Sequence, residues 1–201
     1  MSVIKIDPIN PDKGKIAAAA KVIREGGLVI FPTETVYGIA VNILDRKAVA
    51  RLCGVKARPD GKPFTVHISD PKTIRDMGCE ISVTAEKLIS KFWPGPLTII
   101  LKSQDGRKIG FRMPANKIAL ELIKASGVPV AAPSANLSGK PAPVTAEEAV
   151  LDLEGKIDMV IDGGKTKVGL ESTVVDLTDT PFKVLRQGAI EEEELSKAVN
   201  G

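Results

Sequence analysis

Short apolar segments alternate with helix-forming segments along the chain, and this alternation is the feature that most limits the fold. Residues 28–31, 97–101 and 128–132 are brief apolar stretches with the length of a buried strand. Helix signals precede and separate them, beginning with Asn10 as a capping residue before Pro11 and an alanine-rich stretch. The alternation predicts a single mixed α/β domain over residues 1–201, built around a large sheet.

The remaining elements follow the same pattern. Further strands are predicted at 64–68, 110–113, 159–161, 173–177 and 183–185, and further helices at 84–92, 118–125 and the acidic C-terminal end. Asp45 is placed to cap a helix that ends near Gly54. Thr145 and Glu148 have the spacing of a capping box, in which each side chain accepts a hydrogen bond from the other residue's amide.

The positive charge is concentrated in two segments, although the whole chain carries a net charge of only +3. Residues 45–62 have six basic side chains against two acidic ones, and residues 102–117 have five against one. Such segments favour an anionic ligand on one face of the fold. A solvated charged surface is the alternative for either segment taken alone.

The composition argues against several kinds of site. Two cysteines and one histidine do not suit a structural zinc site or a disulfide framework, so no metal ligands are predicted. The segment 163–166 resembles the end of a P-loop, but Met159 occupies the place of its first glycine. No apolar segment reaches the length of a membrane span and no signal peptide is evident, so we expect a cytoplasmic protein without a membrane partner.

Two pairs of polar residues are candidates for ligand binding. Pro59 favours an extended backbone at Arg58, and residues two apart in an extended chain point to the same side. Lys56 and Arg58 are therefore predicted to converge on a polyphosphate or a carboxylate. Ser134 and Asn136 have the same spacing after a predicted strand, and they either contact a ligand or form a turn, for which both residue types are favoured.

Polar residues also adjoin other predicted strands. Residues 33–35, Thr-Glu-Thr, come directly after the first buried strand, where α/β sheets usually bind ligands. Residues 171–173 and 186–188 adjoin the last two strands, and each of these segments is equally compatible with ordinary loop chemistry. His67 lies within a predicted apolar strand, a position that favours packing or substrate contact over a catalytic dyad.

Seven segments along the chain are informative when taken together. They are FPTETVYGIA (31–40), KARPDGKPFTVHIS (56–69), FWPGPLTIIL (92–101), FRMP (111–114), VAAPSANLSGKPAP (130–143), STVVDLT (172–178) and VLRQGAI (184–190). Together they resemble the YrdC-like family of threonylcarbamoyl-AMP synthases. Each segment alone is a weak signal, and seven in family order over nearly the whole chain form a strong one. The family signature pairs K-x-R with S-x-N, here Lys56-x-Arg58 with Ser134-x-Asn136.

The resemblance implies a fold and a reaction. The fold is a twisted sheet of parallel and antiparallel strands, flanked by helices around a basic concave cavity. The reaction is a nucleotidyl transfer, in which L-threonine, bicarbonate and ATP with Mg²⁺ give L-threonylcarbamoyl-AMP and pyrophosphate. The product is the donor for threonylcarbamoylation of tRNAs that read ANN codons, a step carried out by a separate transferase complex.

The resemblance also assigns site residues. The positions that hold threonine in the family are occupied here by Thr35, His67, Arg112, Ala132 and Ser172. The positions that hold ATP are occupied by Arg58, Lys62, Lys108, Ser134, Asn136, Ala142 and Arg186. Lys56 and Arg58 would be the catalytic residues that neutralise the triphosphate, and Arg112 would bind the threonine carboxylate.

The chain departs from the family pattern in two respects. Lys62 and Ala142 stand where some members have an amide and a hydroxyl, so nucleotide contacts there would use different atoms. Some members carry a second C-terminal domain after a linker, whereas this sequence ends soon after the RQGAI segment. We therefore expect that what the extension adds in closing the site is missing or supplied otherwise.

Two alternatives to the synthase remain compatible with these residues. A basic concave surface could bind tRNA or double-stranded RNA through phosphate contacts, without catalysis. Aromatic residues make up only 3% of the chain, which argues against reading single strands by base stacking. YrdC-like domains also occur in larger carbamoyltransferases of hydrogenase maturation, so a carbamoyl-adenylate-forming relative is the second alternative.

Overall fold

The computed structural model describes residues 1–57, 64–151, 153 and 155–200. Its strands are β1 (Ser2–Lys5), β2 (Val29–Phe31), β3 (Gly38–Asn42), β4 (Thr65–His67), β5 (Leu97–Lys102), β6 (Lys108–Arg112), β7 (Val130–Ala131), β8 (Met159–Asp162), β9 (Thr173–Asp176) and β10 (Lys183–Arg186). Its helices are α1 (Lys13–Arg24), α2 (Arg46–Lys56), α3 (Lys72–Asp76), α4 (Val83–Phe92), α5 (Lys117–Ser126), α6 (Ala146–Leu151) and α7 (Glu192–Asn200). Within these residues, no helix is long and apolar enough to cross a bilayer.

The strands of the described residues form a mixed sheet in the order β1-β8-β2-β3-β7-β4-β6-β5-β9-β10. Parallel pairing joins β8 to both β1 and β2, β4 to β6, and β5 to β9. The other neighbours, β2–β3, β3–β7, β7–β4, β6–β5 and β9–β10, are antiparallel. This topology confirms the predicted α/β class with a sheet of parallel and antiparallel strands.

Helices cover both faces of one half of the sheet. Successive side chains of a strand point to opposite faces, and in β2 both faces are apolar. Val29 and Phe31 pack with buried residues of α1 and α5. Ile30 packs with buried residues of α2 and α6 on the other side. This half of the sheet is therefore a three-layer core, with helices packed on both faces of β2.

The other half, formed by β4, β6, β5 and β9, is different on its two faces. Val66, Ile99 and Phe111 belong to an apolar cluster that includes residues of α3, α4 and α7. The alternate positions of the same strands, such as Thr65 and Thr98, line a cavity on the opposite face. The strand alternation thus places polar side chains where no helix of the described residues covers them.

The structure corrects two expectations about helix ends. Helix α1 begins after Asp12, whose carboxylate accepts the Lys15 amide at 2.9 Å, so the prediction that Asn10 caps this helix is wrong. Lys56 is the last residue of α2, and Ala57 has left-handed backbone angles of φ 47° and ψ 40°. Residues 56 and 57 are therefore not extended, and the argument that an extended chain directs Lys56 and Arg58 to the same side does not hold there. The extended backbone predicted at Arg58 itself lies outside the described residues.

Other elements agree with the sequence in part. Asp45 caps α2 by accepting the Lys47 and Ala48 amides. In the predicted capping box the Glu148 amide donates to Thr145 Oγ1 at 3.2 Å, but the Glu148 carboxylate accepts the Val144 amide rather than that of Thr145. The strand expected at 128–132 is reduced to β7, and β1, β3 and α3 were not predicted.

Asp158 joins α2 to the start of β2, and its removal should destabilise the fold. Its carboxylate accepts the amide of the fully buried Leu28 at 2.7 Å and pairs with Arg51 at 2.7 Å. Asp158→Ala leaves that amide without an acceptor, so we expect the free energy of unfolding to fall by about 1–3 kcal/mol. Urea denaturation measures the change. Asp158→Asn keeps an acceptor oxygen and should lose less, and equal losses in both variants would contradict this explanation.

Candidate active site

A cavity of about 160 Å³ lies on the open face of the sheet, where β4, β6, β5 and β9 present their polar positions. Its polar lining consists of Thr33, Tyr37, Thr65, His67, Thr98, Arg112, Ser134, Glu171, Ser172 and Arg186. The two arginines are its only cationic side chains among the described residues, and Glu171 is its only acidic one. The described lining therefore has more cationic than acidic side chains. Arg112 comes from the basic segment 102–117, whereas Arg186 lies outside both basic segments.

Arg112 ends β6 and carries the most deeply buried charge of the cavity. Its guanidinium Nη2 donates to Glu34 Oε1 at 2.9 Å and to Thr35 Oγ1 at 2.7 Å, and Nε donates to the Gly95 carbonyl at 3.4 Å. Burial lowers the pKa of Arg112, while the Glu34 carboxylate opposes that shift. No described residue accepts a hydrogen bond from Nη1, so this nitrogen is available to an anionic group in the cavity.

The loop after β2 is shaped by its own hydroxyl groups. Thr33 Oγ1 donates to the Val36 carbonyl at 2.6 Å and accepts the amides of Thr35 and Val36 at 3.2 Å each. Because the single hydroxyl proton of Thr33 is used in this way, the 2.9 Å contact between the two threonine oxygens must be donated by Thr35. The lone pairs of Thr35 therefore face Arg112, which fixes the orientation of the guanidinium.

His67 ends β4 beside Arg112, with which it is paired in the sheet register. Its ring meets the Phe31 ring edge-on, with centroids 6.3 Å apart. Burial, and to a smaller extent the charge of Arg112, lowers the pKa of His67 to about 3. The imidazole is consequently neutral, which suits hydrogen bonding to a substrate and not electrostatic binding of an anion.

Tyr37 lines the cavity and is held in place by the hydrogen bonds of its hydroxyl group. Its hydroxyl donates to the Gly164 carbonyl at 2.7 Å and accepts the Gly163 amide at 3.3 Å. Burial is the largest cause that raises the pKa of Tyr37 to about 12. The phenol hydroxyl therefore has a structural role and holds the loop at residues 163–166, the segment that resembles the end of a P-loop in sequence.

Ser172 and Arg186 close the cavity on the side of β9 and β10. Ser172 Oγ lies 2.9 Å from Thr98 Oγ1, and Arg186 Nη2 donates to the Ser172 carbonyl and hydroxyl at 2.9 and 3.1 Å. Arg186 Nη1 pairs with Glu171 Oε1 at 2.9 Å. The Arg186 guanidinium thus holds Glu171 and Ser172, the two residues directly before β9, in one arrangement.

Lys56 connects the two halves of the K-x-R and S-x-N signature. Its Nζ donates to the carbonyls of Ser134 and Asn136 at 2.5 and 2.6 Å, and the side chain is buried. The Asn136 amide group donates to the carbonyls of Leu137 and Lys140, which agrees with the turn alternative for this residue. Lys56 therefore fixes the backbone of the loop that carries Ser134.

The predicted threonine positions converge in space. His67, Arg112, Ala132 and Ser172 line the cavity, and Thr35 contacts it through its hydrogen bond to Arg112. Their roles toward a substrate stay predictions. Sequence analysis did not single out Thr65 and Thr98, although a threonine inside the apolar segment 97–101 is a signal for a polar face.

The predicted ATP positions are spread more widely. Ser134 and Arg186 line the cavity, whereas Asn136 and Ala142 do not. Lys108, at the other end of β6 from Arg112, pairs with Asp176 at 2.9 Å, and this hydrogen bond raises its pKa. Arg58 and Lys62 lie outside the described residues. Within the described ranges, no group of three His, Cys, Asp or Glu side chains is placed to hold a metal ion.

The single histidine of the chain allows its charge state to be read directly. Because the pKa of His67 is lowered to about 3, its ring signals in an NMR titration of untagged protein should not move between about pH 8 and about pH 5, where an exposed histidine would titrate near 6.5. The unfolded chain takes up this proton at the higher pH. The contribution of His67 to stability is therefore complete above about pH 6.5 and is lost as the pH falls toward 3. A midpoint above pH 6 would contradict the buried, neutral ring.

Gly188 is a position where close backbone approach restricts the residues that border the cavity. A Cβ there would lie 2.4 Å from the Glu171 carbonyl oxygen and 2.5 Å from the Ser172 carbonyl carbon, so the backbone of residues 171–173 would have to move. We expect Gly188→Ala to destabilise the protein by about 1–3 kcal/mol, as measured by thermal or urea denaturation. Gly54→Ala, in an open position of α2, is the matched control and should be neutral or stabilising by up to about 1 kcal/mol. Equal effects of the two changes would show that the backbone contact is unimportant.

The chain is similar in sequence to a known protein family and to individual proteins of known name. The family model described as "Sua5_yciO_yrdC: Telomere recombination" matches residues 21–188. The threonylcarbamoyl-AMP synthase of Pyrococcus abyssi is 46% identical over 197 residues, which cover 94% of this chain and 58% of that protein. The threonylcarbamoyl-AMP synthase of Bacillus subtilis is 40% identical over 203 residues, covering 96% of this chain and 59% of the relative.

A solved structure has the same fold. The structure of P. abyssi Sua5 complexed with L-threonine superposes with a TM-score of 0.94 and 44% identity, covering 99% of this chain and 61% of that one. The chain thus spans about three fifths of the length of these relatives. Since the family model covers most of the sequence and the similarity extends to the fold, the chain belongs to the Sua5/YciO/YrdC family.

Proposed function

We propose that this domain condenses L-threonine, bicarbonate and ATP to L-threonylcarbamoyl-AMP and pyrophosphate, as a nucleotidyltransferase. The observation that carries the proposal is the convergence of Thr35, His67, Arg112, Ala132 and Ser172 on one cavity. The relatives named threonylcarbamoyl-AMP synthase, and the Sua5 structure with L-threonine, support it.

Arg112 would bind the carboxylate of the amino acid. Its Nη1 is not used by any described residue, and a guanidinium forms short, charge-assisted hydrogen bonds with carboxylates. The rigid support from Glu34 and Thr35 limits the freedom that the side chain would lose on binding. The neutral His67 and the hydroxyl of Ser172 would supply hydrogen bonds to the rest of the amino acid, and Ala132 would contribute backbone contacts.

Adenylate formation needs no covalent protein nucleophile. The threonine nitrogen and bicarbonate give a carbamate, whose oxygen attacks the α-phosphorus of ATP as pyrophosphate leaves. The protein would contribute positioning and stabilisation of negative charge. The proposed nucleotide contacts are Ser134 and Arg186, which line the cavity, together with Arg58, Lys62, Lys108, Asn136 and Ala142. Lys56 would place its charge directly under the Ser134 loop, which it holds.

Mg²⁺ would enter with the nucleotide. The described residues offer no cluster of three ligating side chains, and Mg²⁺ at ATP sites is commonly held by substrate phosphates and water with few protein ligands. The adenylate would then be used by a separate transferase complex that modifies tRNAs reading ANN codons.

The RNA-binding alternative, with tRNA or double-stranded RNA on the basic surface, predicts binding that weakens steeply with salt and no turnover of ATP.

Removal of the Arg112 charge should abolish most of the activity. We expect Arg112→Gln to lower threonine-dependent pyrophosphate release by about 100- to 1,000-fold, because the carboxylate of the amino acid loses its partner. The wild type should form threonylcarbamoyl-adenylate from ATP, Mg²⁺, bicarbonate and threonine, as detected by mass spectrometry. Its absence under these conditions would overturn the proposed function.

Two controls separate chemistry from folding in this experiment. Arg75→Gln changes an exposed arginine of α3 and should leave the rate unchanged. Arg112→Gln strands the buried Glu34 carboxylate, which is costly when a partner is removed alone. The double variant Arg112→Gln/Glu34→Gln removes both charges and should regain stability without regaining activity. Recovery of activity in the double variant would contradict the role of Arg112.

A further inference from the structure

Glu171 is the only carboxylate among the described residues that line the cavity. An amino acid bound through its carboxylate to Arg112 also brings an ammonium group into the same space. The other charged side chains of the lining are Arg112 and Arg186, and an ammonium left among cations without a partner is costly. The cavity therefore needs an anionic acceptor close to the arginine that holds the carboxylate.

Other acceptors near the cavity are already occupied, lie behind it or carry no charge. His67 Nδ1 has no hydrogen-bond partner among the described residues, but the neutral imidazole offers no negative charge to an ammonium group. The carbonyls of Ser134 and Asn136 accept hydrogen bonds from Lys56, and that of Ser172 accepts from Arg186. Glu34 is the main rival, since its Oε2 has no hydrogen-bond partner among the described residues. Glu34 is not part of the cavity lining, however, and its other oxygen is paired with Arg112.

Glu171 is held in place but keeps one oxygen for a ligand. Its Oε1 pairs with Arg186 at 2.9 Å, and its backbone carbonyl accepts the Ala189 amide at 3.1 Å. No described residue donates to Oε2, and the side chain is 37% exposed. It directly precedes Ser172, a predicted threonine position. The carboxylate thus stands at the edge of the proposed amino acid site with access to solvent.

We propose that Glu171 binds the α-ammonium group of the amino acid and carries away the one net proton that is released as the carbamate forms. This inference rests on the proposed function. When the nitrogen forms its bond to the carbon of bicarbonate, one C–O bond breaks and two protons leave the ammonium group. One proton converts the departing hydroxide to water, and the other passes through Glu171 to solvent. Glu171 is by this account a catalytic residue that also helps select amino acids over simple hydroxy acids.

The test compares two ligands that differ only in the amine. L-Threonine and (R)-3-hydroxybutanoate share the carboxylate, hydroxyl and methyl groups, and ligand-observed NMR titrations give both dissociation constants for wild type and Glu171→Gln. We expect Glu171→Gln to weaken threonine binding by about 10- to 100-fold and to change binding of the hydroxy acid by less than about twofold. A structural role for the Glu171–Arg186 pair would weaken both ligands alike.

The remaining outcomes are also decisive. Unchanged threonine binding in Glu171→Gln, or equal weakening of both ligands, would overturn the inference. A loss confined to threonine in Glu34→Gln, with Glu171→Gln unaffected, would assign the ammonium to Glu34 instead. Glu193→Gln, in an exposed pair with Lys197 on α7, is the control for loss of a carboxylate. A wild type that does not bind threonine would defeat the proposed function itself, which distinguishes that failure from failure of the Glu171 role.

Discussion

The buried pair between Arg112 and Glu34 is the interaction on which the cavity depends. Both side chains are 6% exposed and their charged atoms are 2.9 Å apart, so each charge relies on the other in a medium that solvates it poorly. Through this pair and the contact with the Gly95 carbonyl, the end of β6 is tied to the loop after β2 and to the turn before β5. Because the guanidinium is held through Nε and Nη2, its Nη1 remains available to a ligand in the cavity.

The asymmetry of the sheet explains why this charge has a cavity to face. Around β2 both faces of the sheet are apolar and covered, whereas β4, β6, β5 and β9 bury one face and expose polar alternate positions on the other. The loops that border this open face are fixed by polar contacts, from the buried Lys56 to the Ser134 loop and from the partly exposed Arg186 to residues 171 and 172. Loops held in this way suit the proposed function, in which the protein acts mainly by positioning its substrates.

Much of the fold could be predicted because strand alternation and helix caps are local signals. The strands at 28–31 and 97–101 and the helix capped by Asp45 lie within a residue or two of their predicted places. The end of α2 could not be predicted, since Ala57 adopts a left-handed conformation that alanine rarely favours. The pairing of Arg112 with Glu34 also escapes sequence reasoning, because 78 residues separate them. The positions that the family motifs assign to threonine lie at one cavity, whereas only Ser134 and Arg186 of the described ATP positions line it. The motifs did not indicate that Lys56 would bind backbone carbonyls.

A crystal structure of this protein with L-threonine and a non-hydrolysable ATP analogue tests the central claim most directly. The account predicts the threonine carboxylate within hydrogen-bond distance of Arg112, while the Arg112–Glu34 pair persists, and the nucleotide beside Ser134 and Arg186. Threonine bound away from Arg112, or a nucleotide on another face of the sheet, would contradict it.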